Sequence, residues 1–133
     1  MIKKTLSFLV LLSALFPQNL KLISADQLTN SMQNGEKVVL LEGNVIFEQD
    51  SLVLKAQKAI RFIEQDILEL SGNVELEDKS KKMAADIIVF DSKNNIIELK
   101  NNTLIQFNDY SLVSDQAVFN REKNIIDLKK QPK

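Results

Sequence analysis

The chain carries 18 acidic residues, 17 Lys plus Arg, no His and no Cys, and this bounds the chemistry it can perform. Without imidazole, the commonest general base, the usual zinc ligand and every His-based triad are gone. Without thiols there are neither disulfides nor thiolate metal sites. Paired-carboxylate hydrolysis is the scheme that composition leaves open, and with 18 acids chance pairs are expected. No metal-ligand spacing, Gly-rich phosphate loop or nucleophile motif accompanies them. The reading is therefore of no enzyme, no catalytic residue, no metal and no cofactor. A net charge of −1 also argues against a nucleic-acid partner, which would call for a basic excess. One group of charges has a chemistry to offer: Lys79, Lys81 and Lys82 share the turn "DKSKK" and could meet a phosphate. A charge run in a turn is usually just a solvated one.

What remains is apolar, and its spacing is regular. "VVLLEGNVIF" (38–47), "ILELSGNVEL" (67–76) and "IIELKNNTLI" (96–105) are near-copies, with Asn44, Asn73 and Asn102 each 29 residues apart. At that offset Gly43–Ser71, Gly72–Lys100 and Asn101–Lys129 align without a gap. Ile67, Ile96 and Ile125 form one column, and Leu70, Leu99 and Leu128 another. Phe90 and Phe119 match in a third, which Arg61 breaks. A fixed period means a unit that cannot cover its own apolar face and stacks on copies of itself.

Within each copy apolar residues alternate with charged ones, as where Leu68 and Leu70 flank Glu69. Period two with one polar face is the pattern of a half-buried strand, and no dozen-residue window keeps a helical stripe. Turn signals fall at "QNGE", "EQDS", "EDKSKK", "DSKNN", "FNDY" and "NREKN". Gly43 and Gly72, each before Asn, mark bends where φ > 0 must be accepted, and Asn101 stands there in the third copy. The expected fold is all-β: an antiparallel sheet of short strands folded on itself, V-shaped or slotted, from repeats of about 29 residues.

Parity selects the inward face. It carries Val39, Leu41, Leu68, Val74 and Ile97, and the candidates for lining a groove: Val45, Phe47, Leu54, Leu70, Leu76, Met83, Phe90, Leu99, Ile105, Phe107, Tyr110, Leu112 and Phe119. The aromatic residues and the adaptable thioether of Met83 suit an irregular guest best. The same side chains would also serve as a dry core.

The N-terminus differs from the rest. "MIKK" precedes an apolar run, Thr5 to Phe16, closed by Pro17. The run is shorter than the ~20 residues that span a bilayer and fits the core of a secretory signal. Residues 1–20 are assigned to this signal, 21–129 to one repeat-built domain and 130–133 to a frayed tail. Cleavage after Ala25 is the alternative, as are a retained membrane anchor and a buried core segment.

Two repeat families write phrases of this kind. The leucine-rich repeat shares Leu68, Leu70 and Asn73, but its earlier leucine would fall on Gln65, Asn94 and Lys123. "ISADQLTNSMQNGEKVVLLEGNV" (23–45) instead resembles the opening of the LptA/OstA family. In that family a short strand, "AD", a turn and a strand lead to "GNV". Here these are Ala25-Asp26 with Gly43-Asn44-Val45, Ala56-Gln57 with Gly72-Asn73-Val74, and Ala85-Asp86 with Asn101-Asn102-Thr103. Ser114-Asp115 opens a last half-copy. Gln57 replaces Asp, and Asn101 replaces Gly.

The resemblance implies an OstA-like β-jellyroll in the periplasm, exported by the N-terminal signal. It implies a protein that shelters the lipid A chains of lipopolysaccharide in an apolar groove and helps bridge the inner and outer membranes. Its implied partners are lipopolysaccharide, jellyroll-type proteins at both membranes and further copies of itself stacked head to tail. Physics supports the need: an acyl chain of ~12 carbons in water costs on the order of 10 kcal/mol, at ~0.8 kcal/mol per methylene. The rivals are a membrane-anchored relative of the same system and a structural β-solenoid without lipid.

Overall fold

The computed structural model describes residues 20–129. The expected signal segment and tail lie outside them, apart from Leu20, which is buried in the core. Alternation becomes nine strands: β1 (Lys21–Ser24), β2 (Gln27–Gln33), β3 (Glu36–Gln49), β4 (Leu52–Phe62), β5 (Ile67–Asp78), β6 (Lys81–Asp91), β7 (Ile96–Gln106), β8 (Ser111–Asn120) and β9 (Ile125–Lys129). All pairings are antiparallel, and from β3 to β9 each strand pairs with the next in sequence. β1 and β2 both pair with β3, on either side of a bend at Ala25-Asp26.

The strands are longer than the turn signals alone suggested: β3 runs for 14 residues and β5 for 12. The Gly-Asn pairs lie inside strands rather than between them. At each one the register slips, because two residues of the odd-numbered strand stand opposite one residue of its neighbour. Gly43-Asn44 face Gln57, Gly72-Asn73 face Gln57 and Asp86, and Asn101-Asn102 face Asp86 and Asp115. These are β-bulges, which bend a strand without ending it. All six paired residues have positive φ, from 49° to 82°. Glycine and asparagine tolerate that region best, which is why this dipeptide recurs.

Side chains tie neighbouring bulges together. The Asn44 amide donates to Asp26 Oδ2 at 3.1 Å, and the Asn102 amide to Asp86 Oδ2 at 2.8 Å. The Asp26 backbone N–H donates to the carbonyls of Glu42 and Gly43 at 3.0 and 2.8 Å. The bulges thus line up into a crease across the sheet. One half-sheet runs from the crease to the four-residue turns 63–66, 92–95 and 121–124. The other runs to the turns at 50–51, 79–80 and 107–110. The halves face each other over a single apolar cluster to which both contribute.

One turn escaped the sequence reading. "IEQD" (63–66) has no Gly, Pro or Asn, and Ile63 is packed on the core like a strand residue. Asp66, at φ 58°, supplies the left-handed residue that closes the turn.

Candidate lipid-binding interior

Directly paired residues on neighbouring strands point to the same side of a sheet, so register builds the interior row by row. On one half-sheet Phe47, Leu54, Leu76, Met83, Ile105 and Leu112 stand in line across six strands. Nearer the crease come Val45, Ala56, Val74, Ala85, Thr103 and Ser114. On the other half-sheet one row reads Leu41, Ala59, Leu70, Ile88, Leu99 and Ala117. The next reads Val39, Arg61, Leu68, Phe90, Ile97 and Phe119.

Ten of the sequence-predicted lining residues belong to the buried cluster: Val45, Phe47, Leu54, Leu70, Leu76, Met83, Phe90, Leu99, Ile105 and Phe119. Each such side chain contributes roughly 1.5–3 kcal/mol by leaving water. Phe107 and Leu112 are only partly buried, packed against the cluster at its C-terminal end. Tyr110 is a correction: it is 60% exposed and lies outside the interior. It closes the turn 107–110, where its carbonyl accepts the Phe107 N–H at 2.8 Å, and strand alternation begins only at Ser111. Its ring rests on Phe107, with centroids 4.9 Å apart. The lining is closed here, with its side chains on the two half-sheets packed on one another rather than on an open trough.

Ile88, Ala59 and Ala117 were missed because parity slips by one at the bulge in each even-numbered strand. Inward positions run Ala85 then Ile88, not Ile87. Gln57, Asp86 and Asp115, each one residue after a small inward residue, were the available signal.

Arg61 was noted as breaking a Phe column, and the structure shows how it is accommodated. It is 5% exposed, in the row of Phe90 and Phe119, and its Nη2 bonds Asp66 Oδ1. Burial opposes ionisation of Asp66. The Arg61 and Ser92 hydrogen bonds and the charges of Arg61 and Lys93 outweigh it and hold the carboxyl below its ordinary pKa.

The strand ends, opposite the crease, form a mouth with two lips. Four-residue turns stack into one lip. Ser92 Oγ donates to the Asp66 carbonyl at 2.9 Å, and the Arg121 N–H to the Asn95 carbonyl at 3.2 Å. The other lip carries Gln49, Ser51, Asp78, Lys79 and Lys81. Between them is a cleft of about 820 Å³ with Phe90 and Phe119 among its lining. The predicted lysine triplet divides here. Lys79 and Lys81 line the cleft, with Lys81 Nζ 5.6 Å from the Phe119 ring centroid. Lys82 is on the outer face, 3.6 Å from Glu77.

The fold is an antiparallel sheet creased by bulges over one apolar interior, and the sequence itself decides its family. Residues 22–131 match the family described as LptA/(LptD N-terminal domain) LPS transport protein. The chain belongs to that family. The family is described as one of transport proteins. No curated protein matches the sequence. Among solved structures, the crystal structure of LptH superposes with a TM-score of 0.72 at 16% identity, covering 87% of this chain and 84% of that one. LptH is described as the LptA-homologous periplasmic component of the conserved lipopolysaccharide transport device from Pseudomonas aeruginosa. At that identity the likeness speaks for the shared LptA-type jellyroll.

Proposed function

We propose that this LptA-type chain works in the periplasm as a lipopolysaccharide carrier. The acyl chains of lipid A sit between the two half-sheets while the sugars stay in water. The observation that carries this reading is the single, largely apolar cluster that spans both half-sheets in a chain of a lipopolysaccharide-transport family. The lining is closed, so a guest must part the halves. The crease holds them through backbone on one side, whereas side chains bridge the mouth on the other. That asymmetry lets the sheet open like a book.

The edges suit a bridge between membranes. Among the described residues β9 pairs only with Gln116–Asn120, so within them the first half of β8 has no outer neighbour, and Val113 there is 79% exposed. β1 and β2 form the opposite edge. Strand addition between the two edges would join copies head to tail, or dock the jellyroll partners at either membrane. Export requires the N-terminal signal, and the pairing of β1 with β3 favours a cut ahead of Lys21 over one after Ala25.

A photo-crosslinking residue at Phe47, in the closed interior, tests the reading against a control at the exposed Glu75. Lipopolysaccharide adducts at 47 and none at 75 support it; adducts at neither, or equally at both, sink it. The second reading, a β-scaffold that binds no lipid, is favoured by the tight closure of the interior. It would leave position 47 unlabelled.

A further inference from the structure

Among the side chains at the mouth, Arg121 spans the gap. It belongs to the turn after β8, on one lip. Its Nη1 donates to Gln49 Oε1 at 3.0 Å, and its Nε lies 3.5 Å from Asp78 Oδ2, both on the opposite lip. Asp78 is buried for a carboxylate, at 7% exposure, and Ser51 Oγ donates to its other oxygen at 2.7 Å. The Arg121 side chain is itself only 17% exposed. Arg121 is anchored through its own backbone to the neighbouring turn, so a pull on its guanidinium moves the lip and not merely a side chain. Phe90 and Phe119, two aromatic residues of the interior, line the same cleft.

We propose that Arg121 is a latch that exchanges its carboxylate partner for the phosphate of a phosphorylated amphiphile. This rests on the reading of the interior as a lipid shelter, and identifies the mouth as the port and its chemical key. Guanidinium pairs with phosphate in the same forked geometry as with carboxylate, so the exchange conserves hydrogen bonds on Arg121. Asp78, once released, keeps its bond from Ser51. Lys79 stands on the lip of Asp78 and Lys93 on that of Arg121, so an anion in the cleft meets ammonium groups from both sides. Of the other carboxylates lining the same cleft, Asp66 is already held by Arg61, and Asp50 and Glu122 are exposed at turns. With the anion drawing Arg121 away from Gln49 and Asp78, the lips part over the two Phe rings and the apolar chains follow. A neutral amphiphile has no group with which to displace Asp78.

The chain has no Cys, so spin labels at D50C and K123C report the width of the mouth uniquely. Both positions are exposed turn tips on opposite lips. The ratio of wide to narrow distances is measured by pulsed electron resonance in the labelled protein and in its Arg121→Gln derivative. The additions are nothing, inorganic phosphate, a diacyl glucosamine phosphate, and the same lipid dephosphorylated. Expected without lipid is a rise of about tenfold in that ratio for R121Q, the loss of one charge-assisted contact. Expected in the parent is opening by the phosphorylated lipid, little by inorganic phosphate and none by the neutral lipid. R121Q should take up both lipids alike. Equal distances in the parent and R121Q without lipid overturn the latch, whatever happens with lipid. Equal opening by both lipids in the parent overturns the phosphate key. If R121Q stands open yet neither lipid binds it, the latch holds and the carrier reading fails.

Discussion

Replacing Gly72 by Ala puts the crease to a quantitative test. Gly72 has φ +82°, and a Cβ placed on it would lie 2.8 Å from Cβ of Gln57, its partner across the bulge. Cβ is fixed to the backbone, so the neighbouring strand itself must move. The left-handed backbone costs an alanine about 1–2 kcal/mol, and overpacking adds about 1–3 kcal/mol. The stiffer unfolded chain returns about 0.4–1 kcal/mol. The expected net loss is about 3 kcal/mol at the centre of these ranges. Gly35 is the built-in control: φ is +79°, but nothing lies within 4 Å of its would-be Cβ. Gly35→Ala should cost only about 1 kcal/mol, the backbone part less the unfolded-state gain. Urea denaturation followed by far-ultraviolet circular dichroism measures both. Equal slopes would show that the midpoint shift is a stability change. If the two variants lose the same stability within about 0.3 kcal/mol, close approach at the crease is not what reserves position 72 for glycine.

Other outcomes follow from the same geometry. Phe47→Ala, at 0% exposure, should cost about 3–5 kcal/mol, whereas Tyr110→Ala should stay within about 1 kcal/mol; chemical denaturation compares them. Arg61→Phe restores the column of Phe90 and Phe119 and should fall within about 1 kcal/mol of the parent, while Arg61→Ala loses about 2–3 kcal/mol because a cavity replaces the stem. Asp66 titrates below its ordinary pKa in the folded state, so its contribution is whole above the unfolded carboxylate pKa of about 3.9 and is lost as pH falls through the lower native value. Stability measured between pH 5 and pH 2 should therefore fall less steeply in Arg61→Phe than in the parent, and parallel curves would refute the coupling.

The alternation around Glu69 and Glu98 was enough to assign strands and their inward faces, because a one-residue error there would put charge inside. The Gly-Asn dipeptides marked bends, since few other residues accept consecutive positive φ. They did not show that strands run on through the bend, because a bulge and a turn ask the same of the backbone. The hidden parity slip at Gln57, Asp86 and Asp115 depends on what the neighbouring strand does, which no local pattern records. Tyr110 was misplaced for the converse reason: an aromatic residue beside a strand looks inward until the turn that holds it is known. The clasp from Arg121 to Gln49 joins residues 72 apart in sequence and could not have been read from spacing.

The two-against-one count at each bulge bears on how such a chain changes length. A single-residue deletion in β4 or β6 would turn half a strand inside out, presenting charges to the oily side. Duplicating or excising a whole hairpin of 29 residues leaves every facing side chain where it was. Inheritance can therefore lengthen or shorten the folded sheet only in whole rungs, each bringing its own stretch of wall and its own kink.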